Sequence, residues 1–285
     1  MKNNILVLGG TGKTGRKVAE RLTNLTQKVR IGSRSHSPAF DWQDPSGWEA
    51  VLEGMDMIYI TFQPDLAVPG ALEAIEELTR QAKRSNVKKL VLLSGKGERE
   101  AELCEQVIIH AGLDYTIVRA SWFNQNFSEG AFLDPIVAGH VAMAQAEVEI
   151  PFVDTDDIAD VVVASLLEEA HSGNIYELTG PRTLTFKQAI NEIAIASGRE
   201  IKFESISLAA YSGMLKELQI PDDYIWLINY LFTEVLGDES VSTVTNDIEK
   251  VLGRKANDFL EYVQETVKTG VWNPRVNAQK EEVAG

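Results

Sequence analysis

A glycine-rich stretch near the amino terminus carries the first chemical signal in the sequence. Residues 9–15 read Gly-Gly-Thr-Gly-Lys-Thr-Gly, after four apolar residues at 5–8 and before a helix-like run at 14–23. Between a strand and a helix, glycines allow a tight turn and a close approach to a pyrophosphate, whose charge the N–H groups of the helix start stabilise. The pattern therefore predicts a dinucleotide-binding turn. The residues expected at the cofactor are Gly9, Gly10, Thr11, Gly12, Lys13 and Thr14.

A second phosphate-binding motif is excluded by spacing. Gly12-Lys13-Thr14 matches the end of a P-loop, but that loop requires a glycine five residues before its Gly-Lys pair. The residue at that position is Val7, inside the predicted first strand.

The end of the second predicted strand indicates which nicotinamide cofactor is bound. Residues 30–35 read Arg-Ile-Gly-Ser-Arg-Ser, and no acidic residue follows before Asp41. NAD sites place a carboxylate here for the ribose hydroxyls, whereas NADP sites supply cations for the 2′-phosphate. We therefore expect NADP(H), bound by Arg34 and Ser33; a surface arginine without a ligand is the alternative. Asp41 and Trp42 are candidates for a place near the adenine, with a core position as the alternative for Trp42.

The usual acid of carbonyl reduction is missing. Reduction of a carbonyl needs a proton for the developing alkoxide, commonly from a tyrosine whose pKa is lowered by a lysine four residues later. None of the seven tyrosines has a lysine at that spacing, and Tyr115 with Arg119 lies in a predicted strand, where this spacing forms no helical face. Iminium reduction needs no such acid, because hydride arrives at a cationic carbon and leaves a neutral amine. The catalytic residue stays unknown, and a cofactor sensor without turnover would lack the tyrosine as well.

Polar and aromatic residues follow the later predicted strands, at the carboxyl edge where such sheets bind ligands. Those expected along the cofactor are Thr61, Phe62, Gln63, Ser94, Gly95, Lys96 and Ser121. Those expected at a substrate pocket are Trp122, Phe123, Asn124, Asn126, Phe127, Phe152 and Tyr211. Aromatic residues at such positions are also common in cores, and for the stretch around Tyr211 a substrate lid, a dimer surface and plain core stay open. The four histidines have no ligand-like spacing with Cys104 or with acids, so no metal site is expected.

These residues need a parallel sheet to bring them together. Strands are predicted at 5–8, 28–31, 57–60, 89–93, 115–118 and 175–178, with a short one at Phe40, and helices at 14–23, 46–53, 67–84, 98–111, 157–169, 185–197, 246–252 and 259–268. Helices between short strands indicate right-handed crossovers, hence an α/β Rossmann-type, doubly wound parallel sheet. We expect residues 1–150 to form the NADP-binding domain, with later segments packing back onto it, and residues 151–285 to form a smaller C-terminal α/β substrate lobe ending in a solvated tail at 277–285.

Composition restricts the partners. The chain has 285 residues, 44% hydrophobic, with a formal charge of −15 and one cysteine. A net negative charge argues against nucleic acid, no apolar run reaches the length of a membrane span, and a single cysteine fits a reducing compartment. We expect a cytoplasmic monomer or homodimer that binds a small-molecule substrate.

Several stretches resemble a known family. The glycine turn, Leu93-Ser94-Gly95 and residues 112–119 together resemble the NmrA-like branch of the atypical short-chain dehydrogenases. Residues 40–42, 122–126, 150–152 and 220–224 resemble the fungal clavine dehydrogenases of ergot-alkaloid synthesis. The resemblance implies an oxidoreductase that uses NADPH to reduce an iminium or a related small unsaturated substrate. A quinone or azo-type reductase and a non-catalytic NADP(H) sensor stay open.

Overall fold

The computed structural model describes residues 2–274, and its centre is a parallel β-sheet. The strands are β1 (Asn4–Leu8), β2 (Lys28–Gly32), β3 (Met57–Ile60), β4 (Lys89–Gly95), β5 (Asp114–Ala120), β6 (His140–Met143), β7 (Asn174–Leu178) and β8 (Lys202–Ser205). Six of them form one sheet in the order β2-β1-β3-β4-β5-β7, and every pair in it is parallel. The predicted Rossmann-type fold is confirmed. The predicted tail at 277–285 lies outside the described residues.

Helices cover both faces of this sheet. They are α1 (Gly15–Asn24), α2 (Trp48–Leu52), α3 (Ala71–Arg84), α4 (Arg99–Ile109), α5 (Asn126–Glu129), α6 (Leu133–Ala138), α7 (Thr155–Leu167), α8 (Phe186–Ser197), α9 (Leu208–Glu217), α10 (Asp222–Tyr230), α11 (Asp247–Leu252) and α12 (Phe259–Val267). Their apolar residues recur at helical spacing; in α1 the buried positions are Gly15, Val18, Ala19 and Leu22. Because both faces are covered, β1 and β4 consist almost entirely of buried residues.

The chain changes direction in the sheet at β1. From β1 it first passes outward to β2 and then returns to the other side of β1, where β3 pairs with it. The crossovers on the two sides of this point run to opposite faces, so a crevice opens at the carboxyl ends of β1 and β3. Open α/β sheets bind their ligands at this switch point.

Two local predictions were wrong. Phe40 starts no strand; it is buried against Trp42 and Trp48, and only an isolated bridge joins Asp41 to Asp44. Stacking of aromatic rings replaces strand pairing there. Helix α7 begins at Thr155 rather than at the predicted residue 157, because Asp154 caps it: the Asp154 side chain accepts a hydrogen bond from the backbone N–H of Asp156.

The remaining elements surround a second core. Strands β6 and β8 form a parallel pair, and α6, α8, α9, α10 and α12 bury an aromatic cluster that includes Phe127, Phe186 and Phe232. Helix α7 and strand β7, although later than residue 150, pack on the main sheet. The division at residue 150 stays a prediction. Within residues 2–274, no helix is both long and apolar enough to cross a bilayer.

Candidate cofactor and substrate site

The glycine turn is compact because Gly9, Gly10 and Gly15 have no room for a side chain. Gly9 has φ +65°, and a Cβ there would overlap the Thr61 side chain. A Cβ at Gly15 would overlap the backbone of Gly9, so α1 begins directly on the turn. The N–H of Gly12 donates to the carbonyl of Gly9 at 2.8 Å, which closes the turn. The start of α1, where backbone N–H groups lack acceptors within the helix, therefore lies directly on the turn, and the N–H of Arg16 donates to the carbonyl of Gly12 at 3.2 Å.

The loop after β2 lies beside the turn. Leu8 pairs with Gly32, and the N–H of Gly9 donates to the Gly32 carbonyl at 3.0 Å, so Ser33 and Arg34 follow immediately at the crevice. Arg34 is exposed and has no partner among the described residues. The Oγ of Ser33 lies 2.6 Å from His36 Nδ1. A guanidinium that is unpaired within residues 2–274 therefore follows the strand that adjoins the glycine turn.

A cavity of about 310 Å³ opens where β3, β4 and β5 end. It is lined by Lys13, Thr61, Phe62, Pro64, Asp65, Leu66, Leu93, Ser94, Gly95, Lys96, Glu98, Ala120, Ser121, Trp122, Phe123, Asn126 and Leu231. The predicted residues among them are Lys13, Thr61, Phe62, Ser94, Gly95, Lys96, Ser121, Trp122, Phe123 and Asn126. The cavity thus brings together residues from three strand ends with Lys13 of the glycine turn and Leu231, which lie more than 100 positions apart in the sequence.

Two lysines of the cavity are held by neutral oxygen atoms. Lys13 Nζ donates to Asn126 Oδ1 at 2.6 Å, and Lys96 Nζ donates to the Ser240 carbonyl at 2.6 Å. Burial lowers the pKa of both ammonium groups. Each lysine therefore joins the main sheet region to a later segment of the chain while its charge stays near the cavity.

A buried ion pair lies behind Ser94. The Ser94 hydroxyl donates to Glu105 at 2.6 Å, and Arg119 binds the same carboxylate with its Nε and Nη2 at 2.6–3.1 Å. The Glu105 side chain is fully buried. Because its only proton points to Glu105, the Ser94 hydroxyl offers acceptor lone pairs to the cavity.

Two carboxyl groups of the cavity have no such cation. Glu98 stands at the start of α4 and hydrogen-bonds to Asp65. Burial, followed by the charge of Asp65, raises the pKa of Glu98 well above its ordinary value, and burial also raises the pKa of Asp65. Two hydrogen-bonded carboxyl groups must share a proton between them.

Four residues predicted for the substrate pocket lie behind its wall. Phe127, Phe152 and Tyr211 are buried in the second core, and Asn124 is fully buried. Trp122 separates this core from the cavity, with its ring 5.6 Å from Phe232 and 5.7 Å from Phe186. Aromatic packing between the helices of the second core draws these residues inward, because large rings contribute most when they are fully buried.

The other predicted cofactor residues lie along the crevice. Thr11 is exposed on the turn, and Gln63 Nε2 lies 3.6 Å from the position of a Cβ on Gly12. Thr14 is buried, and its hydroxyl accepts a hydrogen bond from the Tyr59 hydroxyl at 3.0 Å. Trp42 packs on Phe62 at 4.7 Å as part of an aromatic cluster.

Sequence reasoning missed the residues that complete the cavity. Pro64, Asp65 and Leu66 follow the predicted cofactor residues, Glu98 was assigned only as the start of a helix, and Leu231 had no predicted role. The sequence contains one signal near Glu98, the glycines on both sides of Lys96. They indicate a turn just before Glu98, and Gly97 indeed has φ +81°.

Other chemistry is not assembled in the described part of the chain. No tyrosine lines the cavity formed by residues 2–274. Cys104 is buried, and burial raises the pKa of its thiol to about 12. A group of three or more histidine, cysteine or acidic residues able to hold a metal ion is not found within residues 2–274.

Comparisons with known proteins show which family the chain resembles. A family model described as NAD(P)H-binding matches residues 9–169. Prestalk A differentiation protein A of Dictyostelium discoideum is 28% identical, covering 93% of each chain. Festuclavine dehydrogenase of Aspergillus fumigatus is 28% identical over 92% of this chain and 97% of its own. An NAD(P)H azoreductase of Xenophilus azovorans is 25% identical over 91% and 96%.

Solved structures share the fold at low identity. A nucleoside-diphosphate-sugar epimerase of Staphylococcus aureus superposes with a TM-score of 0.77 at 18% identity, covering 92% of this chain and 99% of that one. The triphenylmethane reductase of a Citrobacter species, solved with NADP(H), has a TM-score of 0.72 at 16% identity and covers 92% and 99%. At these identities the likeness shows the fold.

Proposed function

We propose a specific activity for this chain, which belongs to the NAD(P)H-binding family and is an NAD(P)H-dependent oxidoreductase. It uses NADPH to reduce a small planar organic substrate, and the specific substrate type is an iminium. The carrying observation is the cavity where β3, β4 and β5 end, which continues the glycine-turn crevice and has aromatic walls but no tyrosine among its described lining residues.

The cofactor assignment rests on a cradle and a free cation. The glycine turn and the start of α1 would hold the diphosphate, because Gly9 and Gly15 permit a close turn in which a Cβ would overlap Thr61 or the Gly9 backbone. Arg34, exposed and without a partner in the described chain, would bind the 2′-phosphate. No carboxylate occupies the end of β2, which favours NADPH over NADH.

The nicotinamide end would lie along the cavity. When bound, NADPH supplies a hydride. Ser94 presents lone pairs that would accept from a carboxamide N–H, and Phe62, Trp122 and Phe123 provide apolar walls that would hold a flat substrate and exclude water. Positioning of this kind lowers the barrier because the reacting groups no longer have to find each other.

The absence of an acid tyrosine from the described cavity favours an iminium. Hydride addition to a cationic carbon–nitrogen bond yields a neutral amine, so the protein need not deliver a proton. A quinone or an azo compound, in contrast, also takes up a proton. The named activities of the festuclavine dehydrogenase and the azoreductase span both possibilities.

Stopped-flow absorbance of NADPH, with a panel of cyclic iminium ions, quinones and azo compounds, tests this proposal. We expect loss of NADPH absorbance with iminium ions and weaker or no loss with the others. Faster turnover of quinones or azo dyes would show that the substrate belongs to that class rather than to the iminium ions. Tight binding of NADP⁺ and NADPH without any turnover would indicate a cofactor sensor.

A charge placed in the turn tests the cofactor site itself. Gly12→Asp should abolish NADPH binding in calorimetry, because its carboxylate would face the diphosphate. Gly213→Asp is the matched control, since Gly213 is exposed in α9 with open space around it. Unchanged binding by the Gly12 variant, with an intact thermal transition, would contradict the site.

A further inference from the structure

The Glu98 side chain does not cap the helix that it precedes. It is the N-cap of α4, where a carboxylate commonly accepts a hydrogen bond from the helix N–H groups, yet its side chain makes no such bond. The side chain instead lines the cavity and is 9% exposed. Gly95 makes this possible, because a Cβ at that position would overlap the Glu98 carboxylate. A buried acidic group is therefore directed at the substrate space.

Glu98 and Asp65 form what we call the carboxyl pair. Asp65 Oδ1 accepts from the N–H of Ala67 at 2.8 Å, which orients it towards Glu98. No ion pair within residues 2–274 includes either residue. The buried carboxylates Glu105 and Asp157, in contrast, bind arginines, and buried Asp154 accepts hydrogen bonds from the Gln125 amide and the Asp156 N–H. The other charges that act most strongly on Glu98 belong to Glu100 and Glu105, which are also acidic.

Neither lysine of the cavity serves as the counter-ion of the carboxyl pair. Lys13 Nζ binds Asn126 and Lys96 Nζ binds Ser240. Neither lysine is among the main influences on the carboxyl pair. Since a buried charge requires a counter-ion or a proton, the carboxyl pair keeps a proton in place of a cation.

We infer that Asp65 and Glu98 bind the positive charge of a cationic substrate, which enters between the aromatic walls and takes the place of the shared proton. The proton passes to solvent and the substrate's charge becomes the counter-ion of the carboxyl pair; no bond is made or broken in the substrate at this step. The inference rests on the proposed function, because it assigns the substrate class of the same cavity.

Proton release makes cation affinity rise with pH. Of the other groups around the carboxyl pair, Glu105 is bound to Arg119, burial raises the pKa of the Cys104 thiol to about 12, and burial raises the pKa of Tyr230 on α10. Glu100 is exposed and bonded to Tyr230. Lys13 and Lys96, whose pKa values are lowered, are present in wild type and variants alike.

The test compares two flat probes of one shape, the cation N-methylquinolinium and the neutral 1-methylnaphthalene, by calorimetry with and without saturating NADP⁺. For the full-length protein between pH 5.5 and 7.5, we expect cation affinity to rise with pH and protons to be released, while affinity for the neutral probe stays constant. Glu98→Gln and Asp65→Asn should each lower the ratio of cation to neutral affinity about tenfold, the effect of one opposite charge at close range. Glu76→Gln, which removes an exposed acid on α3, is the matched control.

The outcomes separate this inference from the proposed function. An unchanged affinity ratio in both variants, with NADPH binding and the thermal transition intact, would overturn it even if iminium ions are turned over. Loss of quinone turnover in the variants with unchanged probe affinity would also overturn it, because the carboxyl pair would then act as a proton donor. Carboxyl-dependent cation binding in a protein that never oxidises NADPH would support it while the proposed function fails.

Discussion

Helix α4 and its N-cap contain four glutamates, and three of them lie in clearly different environments. Glu105 is fully buried and bound by Arg119 and Ser94. Glu98 is buried at the cavity with Asp65 and no cation. Glu100 is exposed and bonded to Tyr230. The comparison separates charge that stabilises the fold from charge left available to a ligand: a buried carboxylate that already has its arginine cannot respond to a substrate, whereas one held by a proton can.

The largest expected effect comes from removing the cation of Glu105. Arg119→Met leaves that carboxylate buried with only Ser94, so the free energy of unfolding should fall by about 3–5 kcal/mol, measured by urea denaturation. Adding Glu105→Leu to the same chain should restore part of the loss, because no charge then stays buried. If the free energy of unfolding falls by less than about 1 kcal/mol, the ion pair between Arg119 and Glu105 does not stabilise the fold appreciably.

A cation without a protein partner should behave in the opposite way. Arg34→Ala is expected to weaken NADPH binding by about 2–3 kcal/mol, the scale of a lost charge-assisted contact, while NADH binding and folding stability stay nearly constant. Calorimetry with both cofactors measures the difference. Equal losses for NADPH and NADH would show that Arg34 does not bind the 2′-phosphate.

The carboxyl pair should make stability depend on pH. Because burial raises the pKa of Glu98 and Asp65 in the folded protein, the native state retains a proton that the unfolded chain loses, and stability falls as pH rises above the ordinary carboxyl range. Relative to wild type, Glu98→Gln should lose about 1–2 kcal/mol less between pH 5.5 and 7.5. Urea denaturation at both pH values gives the answer, and parallel curves for the two proteins would contradict the raised pKa.

The smallest effect is expected at the exposed glutamate. Tyr230→Phe removes the hydroxyl bonded to Glu100, and the free energy of unfolding should change by no more than about 0.5 kcal/mol, since solvent replaces an exposed hydrogen bond. A loss several times larger in the same denaturation assay would mean that the contact between α10 and α4 carries stability and that exposure is a poor guide to the three environments.

Local patterns made the nucleotide half predictable. The glycine turn, the strand ends after Ile60 and Leu93 and the helix between β1 and β2 each depend on residues close in sequence, so apolar spacing and turn chemistry were sufficient. The second lobe was harder to predict from the sequence. Phe127, Phe152 and Tyr211 have the composition of a pocket wall but pack in a core, because side-chain direction follows from the arrangement of several helices.

By itself, the sequence determined that the chain folds as a parallel α/β sheet with a dinucleotide turn at residues 9–15, since alternating strands and helices admit few other arrangements. Only the tertiary structure decided which acids face the cavity. Asp65 and Glu98 come from different crossovers, and the glycines on both sides of Lys96 mark a turn before Glu98 without showing that its carboxyl group faces the cavity. The roles of Glu98 and Glu105 separate only in three dimensions, because the state of a buried charge depends on which cation, proton or ligand lies within a few ångströms of it.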